Sequence, residues 1–265
     1  MKNSLYRFTR KAAVRWLRII EMNGGGSAPA LLRALRGWPA FLRDAAVYRR
    51  ASDGGAFRIR LSGMLPVLGD RYQSAGTLGH YFHQDLWAAR RIHSRGPRIH
   101  VDIGSRIDGF VAHLLVFMPV TVIDVRPLAS VVAGLAFVQE DATALSSFQD
   151  DSIDSLSSLH AVEHFGLGRY GDPVDPGASL KIVSALARVL KPGGRLYFSV
   201  PVGRERLEFN AHRVFAPRTI ADAFARLRLV SFAGIDDQGA LRDPCKLDDL
   251  ARSDYACGLY EFTKD

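Results

Sequence analysis

From residue 98 onward, apolar and polar positions fall into a repeating order that alternates between the periods of strand and helix. RIHVDIG (98–104) reads as strand, FVAHLLVF (110–117) as helix and TVIDV (121–125) as strand. A short helix near 128–134 and the strand AFVQED (136–141) follow. SIDSLSSL (152–159) is then strand, SLKIVSALARVL (179–190) helix and RLYFSV (195–200) strand. APRTIADAFARL is a helix opening with Pro217, and LVSFAGI and CGLYEF are two last strands. Apolar strands separated by helices predict a mostly parallel central sheet covered on both faces, an α/β fold.

Upstream the pattern changes. In HYFHQDLWAARRI, residues Leu86, Ala89 and Ile92 share one helical face, and FRIRL (57–61) alternates like a short strand. Arg7, Arg10, Lys11, Arg15 and Arg18 form a stripe of a helix whose other faces carry Leu5, Phe8, Ala12, Trp16, Ile19 and Ile20. NGGGSAP (23–29) reads as a break. Leu31, Leu35, Leu42 and Ala45 then set out a second helix, with an interruption expected at 37–39. The organisation expected is a basic helical extension over 1–56 and an α/β domain over 57–265.

Charge sharpens that division. The chain of 265 residues carries a net +8, yet residues 1–60 hold 13 Lys and Arg against 3 Asp and Glu, so the remainder is slightly acidic. A body without a basic groove, and a basic helix without interleaved aromatics, argue against nucleic acid as a partner. The helix over residues 1–20 fits either peripheral docking on an anionic membrane, where each cation contributes about 1 kcal/mol, or an ordinary solvated face. No apolar run approaches the roughly 18 residues of a membrane span. Residues 1–22 interrupt their apolar positions too often for a signal core. Cys245 and Cys257 are too few for a disulfide framework and lack CxxC spacing, so a reducing, cytoplasmic setting is expected.

In doubly wound folds the ligand lies beyond the carboxyl ends of the strands. Those ends are Asp102-Ile103-Gly104, Ile123-Asp124, Glu140-Asp141-Ala142 and SSLHAVEH. Asp124, closing the second strand, is placed to accept from both hydroxyls of a ribose, because a carboxylate offers two acceptor oxygens. The G-x-G-x-x-G loop of a dinucleotide site is missing, and an acid instead precedes the glycine by two.

VDIGSRIDG, VIDVRP and QEDAT, followed by VLKPGGRLYFSVP with a turn at Pro192-Gly193-Gly194, resemble the class I S-adenosylmethionine-dependent methyltransferases over roughly residues 80–235. The resemblance implies the Rossmann-like α/β fold of that superfamily, with the helical N-terminal extension added to it, and S-adenosylmethionine as cofactor. It assigns Asp102, Gly104, Ser105, Arg106, Asp124, Asp141, Ala142 and His160 to the cofactor, with Asp102 supporting the turn, Asp124 at the ribose and Asp141 at the adenine amine, and the Glu163-His164 pair borders the methionine end or the acceptor. LHAVEHFGLGRYGDPVDP with SVPVGRERLEFNAHRVF is more narrowly similar to a bacterial family of unknown function whose members often accompany surface-glycan assembly. The loop departs from the superfamily pattern at Arg106 and Asp108, where glycines are usual. Arg106 either points out of the turn, extends over the cofactor's carboxylate, or closes the pocket and leaves the domain as a scaffold.

His160 to His164 spells H-x-x-E-H, the inverted zinc-protease signature, but it leaves a strand and runs into FGLGRYGDPVDPG, which is too rich in glycine and proline to continue a helix. Methyl transfer to a hydroxyl needs a base near neutrality, and His164, Glu163, His160 and His212 are the candidates by position. No metal is assigned, a divalent ion on His160, Glu163, His164 and His212 being the alternative. Arg169, Tyr170 and Asp172, Arg204, Glu205 and Arg206, and Tyr81, His83, Gln84 and Asp85 are further polar groups suited either to the ligands or to solvated loops and helix ends. The expected function is O-methylation of a sugar or glycan precursor. The rival is a non-catalytic binding or scaffold protein.

Overall fold

The computed structural model describes residues 28–52, 57–68, 70–72, 76 and 78–265. The basic helix expected over the first 22 residues, and residues 23–27 of the expected break, lie outside these. The chain forms two compact units, residues 1–77 and 78–265.

In the first unit, α1 runs unbroken from Ala28 to Ala51 with Pro39 inside it, so the interruption expected at 37–39 does not occur. Gly37 serves instead to admit the Leu68 backbone, whose carbonyl oxygen would stand 2.3 Å from a side-chain carbon at that position. FRIRL is not a strand. Residues 58–60 are irregular and lead into a 3₁₀ turn at Leu61–Gly63, with Phe57 and Leu61 exposed, because alternation makes a strand only where a neighbour pairs with it.

The second unit opens with α2 (His80–Arg95), whose Trp87, Ala88, Ala89 and Ile92 are buried. Next come β1 (His100–Ile103), a π-turn (Ile107–Val111) continuing as α3 (Ala112–Leu115), β2 (Val120–Asp124), β3 (Leu135–Gln139) and β4 (Ile153–Leu159). The chain from 128 to 134 makes no helix, and Val131 there is almost fully exposed. After a 3₁₀ turn (Val162–His164) follow α4 (Ala178–Val189) and β5 (Leu190–Val202), then the hairpin β6 (Arg206–Glu208) and β7 (His212–Val214). The unit closes with α5 (Pro217–Ala223), β8 (Arg228–Ile235), β9 (Leu241–Arg242) and β10 (Ala256–Thr263).

The main sheet has the order β3-β2-β1-β4-β5-β10-β8-β9. The first five strands are parallel, while β10 runs antiparallel between β5 and β8. The Pro192-Gly193-Gly194 turn lies within β5 as an irregularity. Ile153 pairs with Leu190 but Ser155 with Arg195, so the extra residues loop out of register. One hydrophobic cluster packs α4 and α5 on one face of the sheet, around Ile182, Leu186, Phe198 and Phe224. The other packs α2 and α3 on the opposite face, around Trp87, Ile92, Phe110 and Leu114. Strand order reverses between β1 and β4, which is where such sheets open a crevice.

Candidate active site

A cavity of about 660 Å³ lies beyond the carboxyl ends of β1, β2, β3 and β4. Its floor is the turn after β1. Gly104 adopts φ +69, a conformation open to glycine at little cost, and a side-chain carbon there would stand 3.1 Å from the Ala161 methyl. Beneath the turn Asp102 is fully buried. One of its oxygens accepts the Ser105 backbone N–H at 3.1 Å, and the other accepts the Ser105 hydroxyl at 2.6 Å and the Ser157 hydroxyl. Burial pushes the Asp102 carboxyl up to about 6 against those bonds. Asp102 therefore braces the turn from behind and does not line the cavity, whereas Gly104, Ser105 and Arg106 do.

Arg106 leaves the cavity open. Its Nε and Nη2 donate to the two oxygens of Asp108 at 3.2 and 3.0 Å, and the guanidinium lies 4.9 Å from the Tyr81 ring centre. The π-turn that follows packs Gly109 against the carboxylate of Asp85, a buried group whose pKa burial raises to about 6. Gln84 donates to Asp85 at 3.2 Å and accepts from the Ser199 hydroxyl at 2.7 Å. These two polar residues are thus structural braces, and of the upstream candidates Tyr81 alone lines the cavity.

Asp124, Asp141 and Ala142 line the wall at the ends of β2 and β3. Asp124 is not a free carboxylate. Arg126 donates to it from Nε at 3.0 Å, Nη2 at 2.7 Å and its backbone N–H at 2.8 Å, and stacks its guanidinium 4.5 Å from the Tyr170 ring centre. Sequence reading passed over Arg126, although a cation two residues beyond a strand-ending acid is within reach of it. Asp141 accepts the backbone N–H of Thr143 at 2.9 Å.

His160 and His164 line the opposite wall, while Glu163 is buried behind them. The H-x-x-E-H run is not helical at its start, since His160 has φ +49 and only Val162–His164 form a 3₁₀ turn. His160 Nδ1–H donates to Glu163 at 2.8 Å. Burial opposes its protonation, but Cys257 and Glu163 beside it outweigh that and raise its pKa well above the ordinary value. Burial lowers the pKa of His164, against the pull of Glu163. Its Nδ1–H donates to the Ala211 carbonyl at 2.6 Å, so a neutral ring carries its lone pair on Nε2.

His212 sits outside the cavity lining, on β7, with Nε2 3.2 Å from Glu208. Tyr170 and Asp172 are in the lining, yet Asp172 is occupied by the backbone N–H groups of Gly166, at 2.8 Å, and Tyr170, at 3.2 Å. Arg169 donates to the Ala211 carbonyl and Arg206 to Glu208, and neither they nor Arg204, Glu205 or His83 line the cavity.

The family described as "Caenorhabditis protein of unknown function, DUF268" matches residues 131–240. No curated protein sequence matches the chain. Among solved structures it is similar to the N-methyltransferase NodS from Bradyrhizobium japonicum WM9, whose structure holds S-adenosyl-L-homocysteine. That similarity has a TM-score of 0.50 at 17% identity, over 70% of this chain and 88% of that one. It is also similar to the [4+2]-cyclase SpnF, with a TM-score of 0.52 at 14% identity, over 85% of this chain and 92% of that one. The fold is the Rossmann-like α/β fold of the class I methyltransferases. A cyclase among the similar structures illustrates that this fold hosts more than one reaction.

Proposed function

We propose that the protein is an S-adenosylmethionine-dependent methyltransferase that methylates an oxygen of a sugar or surface-glycan precursor. The observation that carries this reading is the cavity of about 660 Å³ at the switch point, edged by the Gly104 turn and the carboxylates of Asp124 and Asp141. Its volume lies within the roughly 300–1,000 Å³ of small-molecule sites. Its lining mixes apolar side chains such as Ile103, Ile123 and Phe137 with the carboxylates of Asp124 and Asp141.

Asp124 would hold the ribose, Asp141 and Ala142 the adenine edge, and the backbone of Gly104 to Arg106 the amino-acid portion, with His160 bordering it. When bound, the cofactor supplies an electrophilic methyl group on a sulfonium. His164 is the group suited to take the acceptor's proton, because its ring stays neutral and Nε2 is its lone-pair atom. Tyr81 and Tyr170 add two aromatic rings to the lining, each with an arginine guanidinium over it. The glycan part of the reading rests on the resemblance of residues 159–176 and 199–215 to the bacterial glycan-associated family. With it goes docking of residues 1–20 on an anionic membrane surface. Among the described residues no helix is long and apolar enough to cross a membrane.

One observation favours the non-catalytic reading: Arg126 already engages both Asp124 oxygens. Calorimetric titration with S-adenosylhomocysteine tests the two. Micromolar binding supports the enzyme, and silence supports the scaffold.

A further inference from the structure

Three side chains that are remote in sequence converge beside the cavity. His80 opens α2, His160 follows β4 and Cys257 is the second residue of β10. One ligand-capable atom from each lies within 4.8 Å of the others. Cys257 is fully buried, His160 is 7% exposed and His80 is half-buried.

His160 carries the argument. Its Nδ1 is fixed on the Glu163 carboxylate, but its Nε2, deep in the interior, meets no oxygen or nitrogen partner and has only the Cys257 sulfur beside it. A thiol is only a weak donor and acceptor, so the lone pair of a neutral ring or the N–H of a protonated one is poorly satisfied there. Both are costly in a folded protein. A metal ion on Nε2 removes that cost. The Nδ1–H to Glu163 bond is then the carboxylate–histidine–metal arrangement that fixes the tautomer of a ligating histidine. His160 is also held at φ +49, a backbone conformation unfavourable for a residue with a side chain, and such positions gather at functional sites.

We propose that His80, His160 and Cys257 bind a divalent transition-metal ion of the zinc class. Two imidazoles and a thiolate suit zinc, whereas magnesium and calcium call for oxygen ligands. A tetrahedral centre with bonds of about 2.0–2.3 Å sets such ligand atoms roughly 3.3–3.6 Å apart. The His80 ring now stacks 5.5 Å from His160 and 5.5 Å from Tyr255, and rotation of this half-buried side chain turns a nitrogen toward the ion. Uptake breaks the Cys257 S–H bond and, from a protonated His160 ring, the Nε2–H bond, forms the sulfur–metal and nitrogen–metal bonds, and releases those protons to solvent. Three protein ligands leave a fourth position open, and His160 lines the cavity, so that position is available to an acceptor hydroxyl. This last role rests on the methyltransferase reading, while the ion site does not.

The test uses the full chain, stripped with chelator and titrated with Zn²⁺ and Co²⁺. About one equivalent of metal is expected to bind, with cobalt giving the strong visible bands of a tetrahedral site and a near-ultraviolet thiolate charge-transfer band. Cys257→Ser should abolish the charge-transfer band, and His80→Gln should weaken zinc binding by roughly tenfold or more. His80→Gln, at a half-buried position, is the control if Cys257→Ser does not fold, with circular dichroism confirming the fold. Substoichiometric metal, or binding unchanged by His80→Gln, overturns the site. S-adenosylhomocysteine titrated against the metal-free protein separates the two readings. Its binding without any metal uptake ends the ion site alone. Metal uptake without its binding ends the acceptor role and leaves the ion site standing.

Discussion

Arg126 grips Asp124 with both arms of its guanidinium, at 3.0 and 2.7 Å, on the wall where the ribose of an adenosine would sit. The pair is unequal in exposure, since the Asp124 side chain is 14% exposed and that of Arg126 51%. A ribose that takes the carboxylate must therefore displace or share a partner that is half in water. Because such pairs contribute only about 0–1 kcal/mol, Arg126→Ala should tighten S-adenosylhomocysteine binding by up to about fivefold. Asp124→Asn removes a charged acceptor and should weaken it by roughly 10- to 100-fold, a loss of about 1.5–3 kcal/mol. Calorimetry on the two variants checks both. Equal affinities across wild type and Asp124→Asn would remove Asp124 from the site.

Gly104→Ala should destabilise the fold and close the cavity floor together. The alanine must adopt φ +69, at a cost of about 1–2 kcal/mol, and its methyl would press on Ala161 at 3.1 Å. Denaturant unfolding reads the first effect and ligand titration the second. A variant with wild-type values in both would show that the turn is not under this constraint.

Asp85 gives the stability a pH dependence of unusual sign. Burial raises its folded-state pKa to about 6, from an ordinary value of 3.8. Between those values the native state holds the proton more tightly than the unfolded chain does, so this group's contribution is lost as pH rises through about 6. Asp102, raised in the same direction, adds to the slope. Asp85→Asn should therefore gain stability relative to wild type on going from pH 4.5 to pH 7. Parallel unfolding curves for the two proteins would contradict the shift.

His164→Gln should lower the rate of methyl transfer by about 10²- to 10⁴-fold while leaving S-adenosylhomocysteine affinity within about twofold. Radiolabelled methyl incorporation across a panel of nucleotide sugars and glycan precursors supplies the assay. An unchanged rate would take the base role away from His164.

Flotation with anionic vesicles tests the basic segment directly. The full chain should rise with vesicles rich in phosphatidylserine and stay behind with neutral ones, and a chain lacking residues 1–22 should stay behind with both. Equal recovery of the two chains would end the docking idea.

Local pattern carried most of the α/β unit. The strands at Val101, Val122, Phe137 and Leu156 and the helices at Ile92 and Ile182 announce themselves through apolar spacing, because burial against a sheet requires that spacing. Where no partner strand exists, as at Phe57 to Leu61, the same alternation produced a false strand. The acids at the strand ends were legible too, since chain position alone puts Asp124 and Asp141 at the crevice. The partner of Asp124 was not: Arg126 closes on both of its oxygens, and that depends on the path of the chain after β2.

By itself, the sequence determined the layered fold, the place of the crevice and the carboxylates beside it, since strand and helix periods and chain order are properties of neighbouring residues. Only the tertiary structure decided that Arg106 turns to Asp108, that Arg126 occupies Asp124, and that His80, His160 and Cys257 meet. The last of these follows from β10 inserting antiparallel between β5 and β8 and bringing the end of the chain to a site begun near residue 80. Sheet order and register choose such long-range partners, and no local spacing encodes them.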